Sequence, residues 1–360
     1  MTKANDGRRV MAGSLLAAGF AYMGLRAFRR TGESLEEKVV LITGGTRGLG
    51  LLLAHEFGRR GARVVICARD ESELARAGIE LRNAGVTVLT VPCDVADPEQ
   101  VRLMTARATD HFGRVDVLVN NAGIIQVGPL EAMKVEDFRR AMDVIYWGSL
   151  YTTLEVLPQM RARGSGRIVN ITSIGGKVAV PHLLPYDAAK FALVGFSEGL
   201  RAELRKDGIS VTTIVPGLMR TGSPVNALFK GDHEKEFTWF SLASATPVTT
   251  MSARRAARRI VEASRRGEAQ VTLSWQAKLL RLSHDLAPGV TSGLLGLVNR
   301  FLPTGSSPEE RRGMHVSTAL SPSPMTSMMN RAARRNNEFG GRGRPSAEHA
   351  RKVGLNRGED

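Results

Sequence analysis

Three residues of this sequence have types and spacing suited to proton transfer: Ser173, Tyr186 and Lys190. Tyr186 and Lys190 are four residues apart in a segment with helical periodicity, so they lie on one helix face, a turn apart. A lysine ammonium roughly 5 Å from a phenol, at an effective dielectric constant of about 20, favours the phenolate by about 3 kcal/mol. We therefore predict that Lys190 lowers the pKa of Tyr186 from about 10 into a range that permits general acid–base catalysis. Ser173 lies thirteen residues before Tyr186, after an apolar strand, and its hydroxyl would polarise a substrate oxygen.

A glycine-rich loop, TGGTRGLG (43–50), lies between an apolar strand and the start of a helix. Gly44, Gly48 and Gly50 permit a tight turn and let the backbone approach a bound pyrophosphate, which then lies at the helix N-terminus. A glycine pattern alone is weak evidence, but the strand–turn–helix context is typical of dinucleotide-binding folds. The loop therefore predicts a dinucleotide cofactor.

The end of the second apolar strand lacks the acidic side chain that NAD-dependent enzymes commonly place there to bind the ribose 2′-hydroxyl. This sequence has Ala68 at that place, followed by Arg69. Arg47, inside the glycine loop, supplies a second guanidinium group. Because arginine can bind a phosphate through two hydrogen bonds, the two arginines favour the 2′-phosphate of NADP(H) over NAD(H).

Alternating apolar strands and amphipathic helices must position these residues. The strands are short, β-branched and almost continuously apolar, as in a parallel sheet that is buried on both faces. They are predicted at 39–43, 63–67, 86–91, 115–120, 167–172 and 209–215. Segments of helical length separate them, among others at 48–60, 71–84, 98–112 and 134–162. The predicted fold class is α/β, a doubly wound, mostly parallel, Rossmann-like sheet in a single catalytic domain.

Composition divides the chain into four parts. Residues 38–250 form the predicted catalytic domain, and the several apolar and aromatic residues of its last part, 222–250, suggest either a substrate lid or ordinary core. Residues 251–303 are predicted to form a C-terminal helical extension. Residues 304–360 are rich in Ser, Pro, Gly and Arg, which predicts a disordered basic tail because few apolar side chains offset its ordering entropy. The two cysteines and the scattered histidines form neither a disulfide framework nor a metal site.

The fourth part, residues 1–37, contains an uncharged apolar run at 10–25 that is flanked by arginines. The run extends to residue 28 if Arg26 reaches out to the interface, which approaches the ~20 residues of a membrane span. Three interpretations stay open: a membrane anchor or surface helix, a soluble helix packed on the body or a partner, and an export signal. We favour membrane association through 10–28, with the catalytic domain in the cytoplasm where nicotinamide cofactors are kept; otherwise the protein is cytoplasmic.

The formal net charge of +15 would suit nucleic acid, an anionic membrane surface or a phosphorylated cofactor. The arginines cluster in the N-terminal segment, near 254–266 and in the tail. No helix-turn-helix, zinc-finger or aromatic RNA-binding signature accompanies them, so nucleic-acid binding is not expected.

Together these motifs resemble the short-chain dehydrogenase/reductase family over about residues 38–220. The resemblance implies that Ser173, Tyr186 and Lys190 are catalytic, and that Lys190 also binds the nicotinamide ribose. It further implies cofactor contacts from the glycine loop, from CDV (93–95) at the adenine, from NNAG (120–123), and from PGLMRT (216–221) near the nicotinamide carboxamide. The implied cofactor-binding set is Gly44, Thr46, Arg47, Gly48, Leu49, Gly50, Arg69, Asp94, Val95, Asn121, Ala122, Gly123, Tyr186, Lys190, Pro216, Gly217 and Thr221.

The sequence departs from the family at one position. In the helix before the serine strand, members often carry an asparagine that supports a water-linked proton relay to the lysine. The matching stretch here, MDVIYWG (142–148), has Ile145 at that place. Either the relay runs through backbone and water alone, or activity is reduced.

These motifs predict an NADP(H)-dependent oxidoreductase that transfers a hydride between nicotinamide and a carbonyl or alcohol carbon. The apolar lid and the N-terminal segment suggest a lipophilic substrate, by analogy with membrane-anchored members of the family. The alternative is an NADP(H)-binding scaffold or sensor with weak turnover, which Ile145 and the long extensions motivate. Because the family often forms dimers and tetramers, a homo-oligomer also stays open.

Overall fold

The structure, a computed structural model, describes residues 32–245, 250–316 and 337–338. The strands in these ranges are Val39–Thr43 (β1), Arg63–Ala68 (β2), Val88–Pro92 (β3), Val117–Asn120 (β4), Gln126–Val127 (β5), Gly166–Ile171 (β6), Ile209–Val215 (β7), Met219–Arg220 (β8), Leu228–Phe229 (β9), Met251–Ser252 (β10), Gln270–Thr272 (β11) and Arg311–Arg312 (β12). The α-helices of the same ranges are Gly48–Gly58 (α1), Glu71–Asn83 (α2), Pro98–Phe112 (α3), Val135–Met142 (α4), Gly148–Arg163 (α5), Leu184–Leu204 (α6), Ser223–Asn226 (α7), His233–Ala245 (α8), Ala253–Arg266 (α9), Trp275–Leu286 (α10) and Pro288–Asn299 (α11).

Seven strands form one parallel sheet in the order β11-β7-β6-β4-β1-β2-β3, which confirms the predicted doubly wound fold. Side chains alternate along β1, so that Val40 and Ile42 enter one core while Val39 and Leu41 enter the other. Helices α1, α2 and α9 cover the first face, and α3, α5 and α6 cover the second. The strand order reverses between β1 and β4, and in such sheets ligands bind outside the carboxyl ends of the strands at this point.

The structure differs in detail from two expectations about the C-terminal part. The predicted helical extension over 251–303 contains β11, which completes the main sheet beside β7, and three residues are too few for a strand period to show in the sequence. Residues 304–316 belong to the predicted disordered tail, yet β12 within them pairs with β9. Gly313 makes this possible because it packs against Phe229 and Phe237, where a Cβ atom would lie only 3.0 Å from each ring.

The apolar segment 10–28 lies outside the described residues. Within the ranges that the structure describes, no helix has both the length and the apolar character needed to span a bilayer.

Candidate active site

The glycine loop joins β1 to α1 and forms a cradle of bare backbone at the helix N-terminus. Gly44 and Gly48 have φ angles of 63° and 55°, a left-handed conformation that glycine adopts without strain. The residue that precedes α1, Arg47, makes no side-chain cap to the helix. The first N–H groups of α1 therefore receive no cap from Arg47, at the place where the sequence predicted a pyrophosphate.

Gly50 tests the cradle most directly, because a Cβ atom there would lie 2.1 Å from the carbonyl oxygen of Gly44 and 2.6 Å from Nδ2 of Asn121. We expect Gly50→Ala to displace the loop and to weaken dinucleotide binding by at least ~10-fold, since one main-chain phosphate contact contributes about 1.5–3 kcal/mol. The measurement is the dissociation constant of the dinucleotide, together with the melting temperature.

Gly199 provides a matched control, because it lies in α6 and a Cβ atom on it would meet nothing within 4 Å. Gly199→Ala should leave dinucleotide binding unchanged and stabilise the protein by up to ~1 kcal/mol. Equal affinity in Gly50→Ala and Gly199→Ala would show that the loop is not the binding cradle.

The two arginines predicted to select the cofactor each contact a carboxylate. Arg47 Nη1 is 2.8 Å from Glu73 Oε1, and Thr46 Oγ1 donates to the other oxygen of Glu73 at 3.1 Å. Arg69 Nη1 is 3.5 Å from Asp94 Oδ2, and its side chain is 60% exposed. Arg69 is therefore a surface cation near the predicted adenine residue, whereas Arg47 is positioned by the buried Glu73, which the sequence analysis did not single out.

The NNAG segment, residues 120–123, is hydrogen-bonded to the glycine loop. Asn121 Nδ2 donates to the carbonyl oxygens of Thr43 and Gly44 at 2.9 and 3.0 Å, and the N–H of Ala122 donates to Thr43 Oγ1 at 3.0 Å. Leu49 and Val95, also predicted to contact the cofactor, bury their side chains in the two cores. Any contact that they make with a dinucleotide is therefore through their main chain.

The PGLMRT segment, residues 216–221, is hydrogen-bonded to the loop that contains Ser173. The carbonyl oxygen of Pro216 accepts from the N–H of Ile174, the residue after Ser173, at 2.8 Å. A Cβ atom on Gly217 would lie 2.6 Å from Ser274 Oγ, so the turn fits only glycine against the start of α10. Thr221 is buried, and its hydroxyl lies 2.6 Å from Ser223 Oγ.

Ser173, Tyr186 and Lys190 converge at the carboxyl edge of the sheet, as their spacing predicted. Ser173 follows β6, and its hydroxyl forms a hydrogen bond with the phenol of Tyr186. Tyr186 and Lys190 both lie in the first turns of α6, and Lys190 Nζ is 5.6 Å from the centre of the tyrosine ring. Lys190 is buried and donates to the carbonyl oxygen of Ile171, at the end of β6, at 2.7 Å. The side-chain groups of Ser173, Tyr186 and Lys190 thus lie close together at the carboxyl ends of the strands.

The expected pKa of Tyr186 is wrong in direction. Burial raises the pKa of Tyr186 to about 12, with the charge of Asp187 adding to the rise and the Ser173 hydrogen bond opposing it. Burial also lowers the pKa of Lys190 to about 7. The prediction assumed a fully charged lysine beside a solvated phenol, but loss of solvation disfavours the charged form of both groups. Tyr186 is therefore held as the protonated phenol, the form that can donate a proton.

Asp187 is a third ionisable group that the sequence analysis missed. Its side chain is buried, and Oδ2 accepts from the N–H of Val180 at 2.6 Å. Burial raises the pKa of Asp187 to about 8, although the Val180 hydrogen bond opposes the rise. The sequence did contain a signal for this buried group, an acidic residue within YDAAK at the start of a predicted helix. The structure begins α6 at Leu184 and buries Asp187 against the loop after Ser173.

Ile145 lies in a π-helical turn, Asp143–Trp147, between α4 and α5, and its side chain is fully buried. A Cβ atom on Gly123 would lie 3.8 Å from both Ile145 Cγ1 and Lys190 Nζ, so the isoleucine faces the same small space as the lysine. The carbonyl oxygen of Ile145 accepts from Ser149 Oγ at 2.7 Å. An apolar side chain thus stands where the family often has an amide.

The segment that the sequence suggested as a lid contacts the loop before α6 through buried polar groups. His182 Nδ1 lies 2.7 Å from Glu236 Oε1, and Trp239 Nε1 donates to Glu236 Oε2 at 2.6 Å. Phe237 and Phe240, which the sequence suggested as lid residues, are buried with Phe229 in a separate small core. The lid therefore has a core of its own and a polar connection to the loop that precedes α6.

Two residues of the C-terminal tail lie against the glycine loop, which the sequence analysis did not foresee. Asn337 Nδ2 donates to the carbonyl oxygen of Thr46 at 2.9 Å, and Arg76 Nε donates to Asn337 Oδ1 at 3.2 Å. The carboxylate of Glu338 is 3.4 Å from the position that a Cβ atom would take on Gly48. A carboxylate of the chain itself thus lies beside the N-terminus of α1.

Comparison with known proteins agrees with this geometry. Over 205 residues the chain is 41% identical to "Dehydrogenase/reductase SDR family protein 7-like" of Anopheles gambiae, which covers 56% of this chain and 65% of the relative. It is 37% identical over 206 residues to "11-beta-hydroxysteroid dehydrogenase 1A" of Arabidopsis thaliana, covering 56% of this chain and 58% of the relative. The chain thus spans less than two thirds of the length of these two relatives.

Among solved structures, a gluconate 5-dehydrogenase from Burkholderia cenocepacia in complex with NADP and tartrate is similar, with a TM-score of 0.59 and 29% identity. The similarity covers 68% of this chain and 96% of that structure. Residues 38–228, more than half of the chain, match the family described as "short chain dehydrogenase". This chain, with its seven-stranded parallel sheet and its Ser173, Tyr186 and Lys190, belongs to the short-chain dehydrogenase family of oxidoreductases.

Proposed function

We propose that this protein transfers a hydride between NADP(H) and a carbonyl or alcohol carbon of a lipophilic substrate. The observation that carries the proposal is the convergence of Ser173, Tyr186 and Lys190 at the carboxyl edge of the sheet, on which the glycine loop also opens. A protonated phenol hydrogen-bonded to a serine hydroxyl is suited to bind one oxygen atom and to give it a proton.

In carbonyl reduction, Ser173 orients the substrate oxygen and Tyr186 donates its proton to that oxygen. When bound, the nicotinamide supplies the hydride that the carbonyl carbon accepts. Burial keeps Tyr186 protonated until the oxygen gains negative charge, so the proton moves as the hydride arrives. Lys190, held by the carbonyl oxygen of Ile171, is placed to stabilise the tyrosinate and to help return its proton. Alcohol oxidation uses the same groups in reverse, with Tyr186 as the base.

The residues of the crevice fit a dinucleotide with an extra phosphate. The glycine loop leaves the N-terminus of α1 free of a side-chain cap, and Ala68 leaves no carboxylate at the end of β2. Arg69 is exposed and its contact to Asp94 is long, so it is available to a phosphate on the ribose. The similar gluconate 5-dehydrogenase from Burkholderia, solved in complex with NADP, supports this preference.

Arg69→Asp tests the cofactor preference. The substitution removes one phosphate contact and adds repulsion, so the ratio of kcat/KM for NADPH to that for NADH should fall by ~30-fold, equivalent to ~2 kcal/mol. Arg82→Asp, a charge reversal at the opposite end of α2, serves as the matched control and should leave the ratio unchanged. A wild type that prefers NADH, or an unchanged ratio in Arg69→Asp, would refute the assignment.

The tail contact implies that the cofactor and residues 337–338 compete for the same loop. A shortened protein ending at residue 316 should bind NADPH more tightly than the full chain, by roughly 3- to 10-fold, because the loop no longer has an intramolecular occupant. Glu338→Ala should reproduce part of the gain, whereas Glu309→Ala, at an exposed site away from the loop, should not. Weaker binding by the shortened chain would mean that the tail is part of the cofactor site.

A lipophilic substrate is supported by the aromatic lid and by the Arabidopsis relative, whose name specifies a hydroxysteroid. Trp239 and Leu183 are only partly buried beside the small lid core, so they are available to an apolar substrate. The test is NADPH oxidation with carbonyl compounds of increasing chain length. The proposal expects kcat/KM to rise with chain length, and a preference for short polar substrates would contradict it.

One observation favours a second function, an NADP(H)-binding scaffold or sensor with weak turnover. The apolar side chain of Ile145 faces the space next to Lys190, where the family often has a relay amide. Tight NADPH binding without turnover in the same substrate series would favour the scaffold. Membrane association through residues 10–28, a cytoplasmic catalytic domain and a homo-oligomer remain parts of the proposal.

A further inference from the structure

Helices α10 and α11 each carry a row of exposed apolar side chains. On α10, Trp275, Leu279, Leu282 and Leu286 follow the spacing i, i+4, i+7 and i+11, and they are 54–77% exposed. Val290, Leu294, Leu297 and Phe301 repeat this spacing along α11 and just past its end, at 49–83% exposure. Because this spacing returns to the same side of a helix, each helix presents one apolar stripe.

The two helices form a single unit, since one residue, Ala287, separates them and they pack against each other. Of the sixteen exposed large hydrophobic side chains in the described residues, nine lie between Trp275 and Phe301. Isolated exposed hydrophobics are common on soluble proteins, but nine within two adjacent helices indicate a surface that is covered by a partner. We refer to the exposed apolar side of α10 and α11 as the hairpin face.

The charges around the hairpin face indicate the kind of partner. Helix α11 contains no charged residue at all, and Asp285 is the only acidic residue from Trp275 to Phe301. Asp285 is paired with Arg281 at 3.3 Å, while Lys278 on α10 and Arg300, the residue directly after α11, are exposed cations. An apolar stripe with basic residues at its border and almost no acid is complementary to an anionic lipid surface. A second copy of the chain would instead bring the same cations towards each other.

We propose that the hairpin face docks on an anionic membrane surface, with α10 and α11 lying in the plane of the interface. Trp275 suits the headgroup level, because its ring is apolar while its indole N–H can still reach a polar group. This docking requires neither turnover nor a bound cofactor, and it does not require residues 10–28. If residues 10–28 also bind the membrane, the hairpin face is a second membrane contact.

Position in the fold links the hairpin face to the candidate active site. Ser274, which caps α10, lies 2.6 Å and Ala277 lies 3.2 Å from where a Cβ atom would be on Gly217. Docking would therefore hold the Pro216–Gly217 edge of the site near the lipid.

The experiment measures the fluorescence of Trp275 in the full-length protein mixed with vesicles of phosphatidylcholine, with and without phosphatidylserine. A brominated lipid in the vesicles quenches only tryptophans that enter the bilayer surface. We expect quenching and a blue shift with phosphatidylserine, and both should be lost in Trp275→Phe, which identifies the responding residue among the three tryptophans. Because the quenching is measured at Trp275 itself, anchoring of the protein by another segment does not produce the same signal.

A double variant, Leu286→Glu with Leu294→Glu, should reduce the quenching at least ~10-fold, since burying two charges at the interface opposes docking. Both residues are exposed, so the variant should keep its melting temperature and its affinity for NADPH. Ile79→Glu, at a comparably exposed site on α2, should quench like the wild type. Charge reversal in Lys278→Glu with Arg300→Glu should remove the preference for phosphatidylserine.

Unquenched Trp275 in the presence of both vesicle types would overturn the proposal. So would a concentration-dependent dimer that the Leu286→Glu and Leu294→Glu variant dissociates, because a second copy would then cover the hairpin face. Loss of NADPH oxidation in the wild type would leave the docking result standing, which separates this inference from the proposed function.

Discussion

Tyr186→Phe should lower turnover by roughly 10²–10⁴-fold while leaving NADPH affinity close to that of the wild type. The substitution removes only a hydroxyl from a ring that packs against Ala189 and Leu193, so the fold should persist. The lost group is the proton donor, and its partner Ser173 cannot replace it because a serine hydroxyl is a far weaker acid. Steady-state kinetics on one accepted carbonyl, with NADPH binding measured separately, provide the result.

Tyr151→Phe is the control, since this tyrosine lies in α5, outside the Ser173, Tyr186 and Lys190 set, and packs against the core on the second face of the sheet. It should retain wild-type kinetics. Turnover in Tyr186→Phe within a few-fold of the wild type would exclude Tyr186 as the general acid and would favour the scaffold.

Lys190→Met should damage both turnover and cofactor binding. Turnover should fall by ~10²-fold or more because the tyrosinate loses its neighbouring cation. NADPH binding should weaken by about 10-fold if the ammonium also holds the ribose hydroxyls, as the family resemblance implies. The substitution keeps the length of the buried aliphatic chain, so the melting temperature should not fall with activity.

The pH dependence of reduction should identify the same lysine. The pKa of Lys190 is about 7, so it is charged below this pH and increasingly neutral above it. We expect kcat/KM for NADPH, which reports groups of the free enzyme, to fall as the pH rises through about 7. Lys190→Met should abolish this fall. Asp187, with a pKa of about 8, also titrates nearby, so Asp187→Asn should be measured in parallel and should preserve it.

The same shifts set the pH dependence of stability. Unfolded Lys190 binds more protons than folded Lys190 from its folded pKa of about 7 up to its ordinary value of 10.5, so its contribution to the free energy of unfolding rises with pH across that window. Asp187 has the opposite effect. Its folded pKa is raised from 3.8 to about 8, so the stability associated with its protonated form is lost as the pH rises from the first value through the second.

Much of the fold was predictable because its strands are buried on both faces. The run at 39–43 reads as a strand from its composition alone, and the structure gives the same bounds for β1. The convergence of Ser173, Tyr186 and Lys190 was predictable because Ser173 follows the end of a strand and Tyr186 and Lys190 share a helix face. Local periodicity fixes both relations, and the parallel sheet brings the strand ends together.

The features that the sequence did not reveal depend on contacts between distant segments. Burial of Tyr186 raises its pKa and burial of Lys190 lowers that of the lysine, which reverses the direction expected for Tyr186, and the spacing of two residues carries no information about solvation. Asn337 reaches the glycine loop across nearly three hundred residues. The exposed stripes of α10 and α11 have the periodicity of a buried helix, so the sequence alone could not distinguish a core from an open face.

The most direct test of the account follows a label from the cofactor into the product. The full-length protein is incubated with a ketone that it accepts and with NADPH deuterated at nicotinamide C4, in separate samples for the two faces of the ring. Mass spectrometry of the alcohol then reports where the deuterium lies. We expect one deuterium on the carbinol carbon from one of the two labelled cofactors in the wild type, and at most a trace from Tyr186→Phe. An alcohol without deuterium from either cofactor, or equal labelling in wild type and Tyr186→Phe, would contradict hydride transfer assisted by Tyr186.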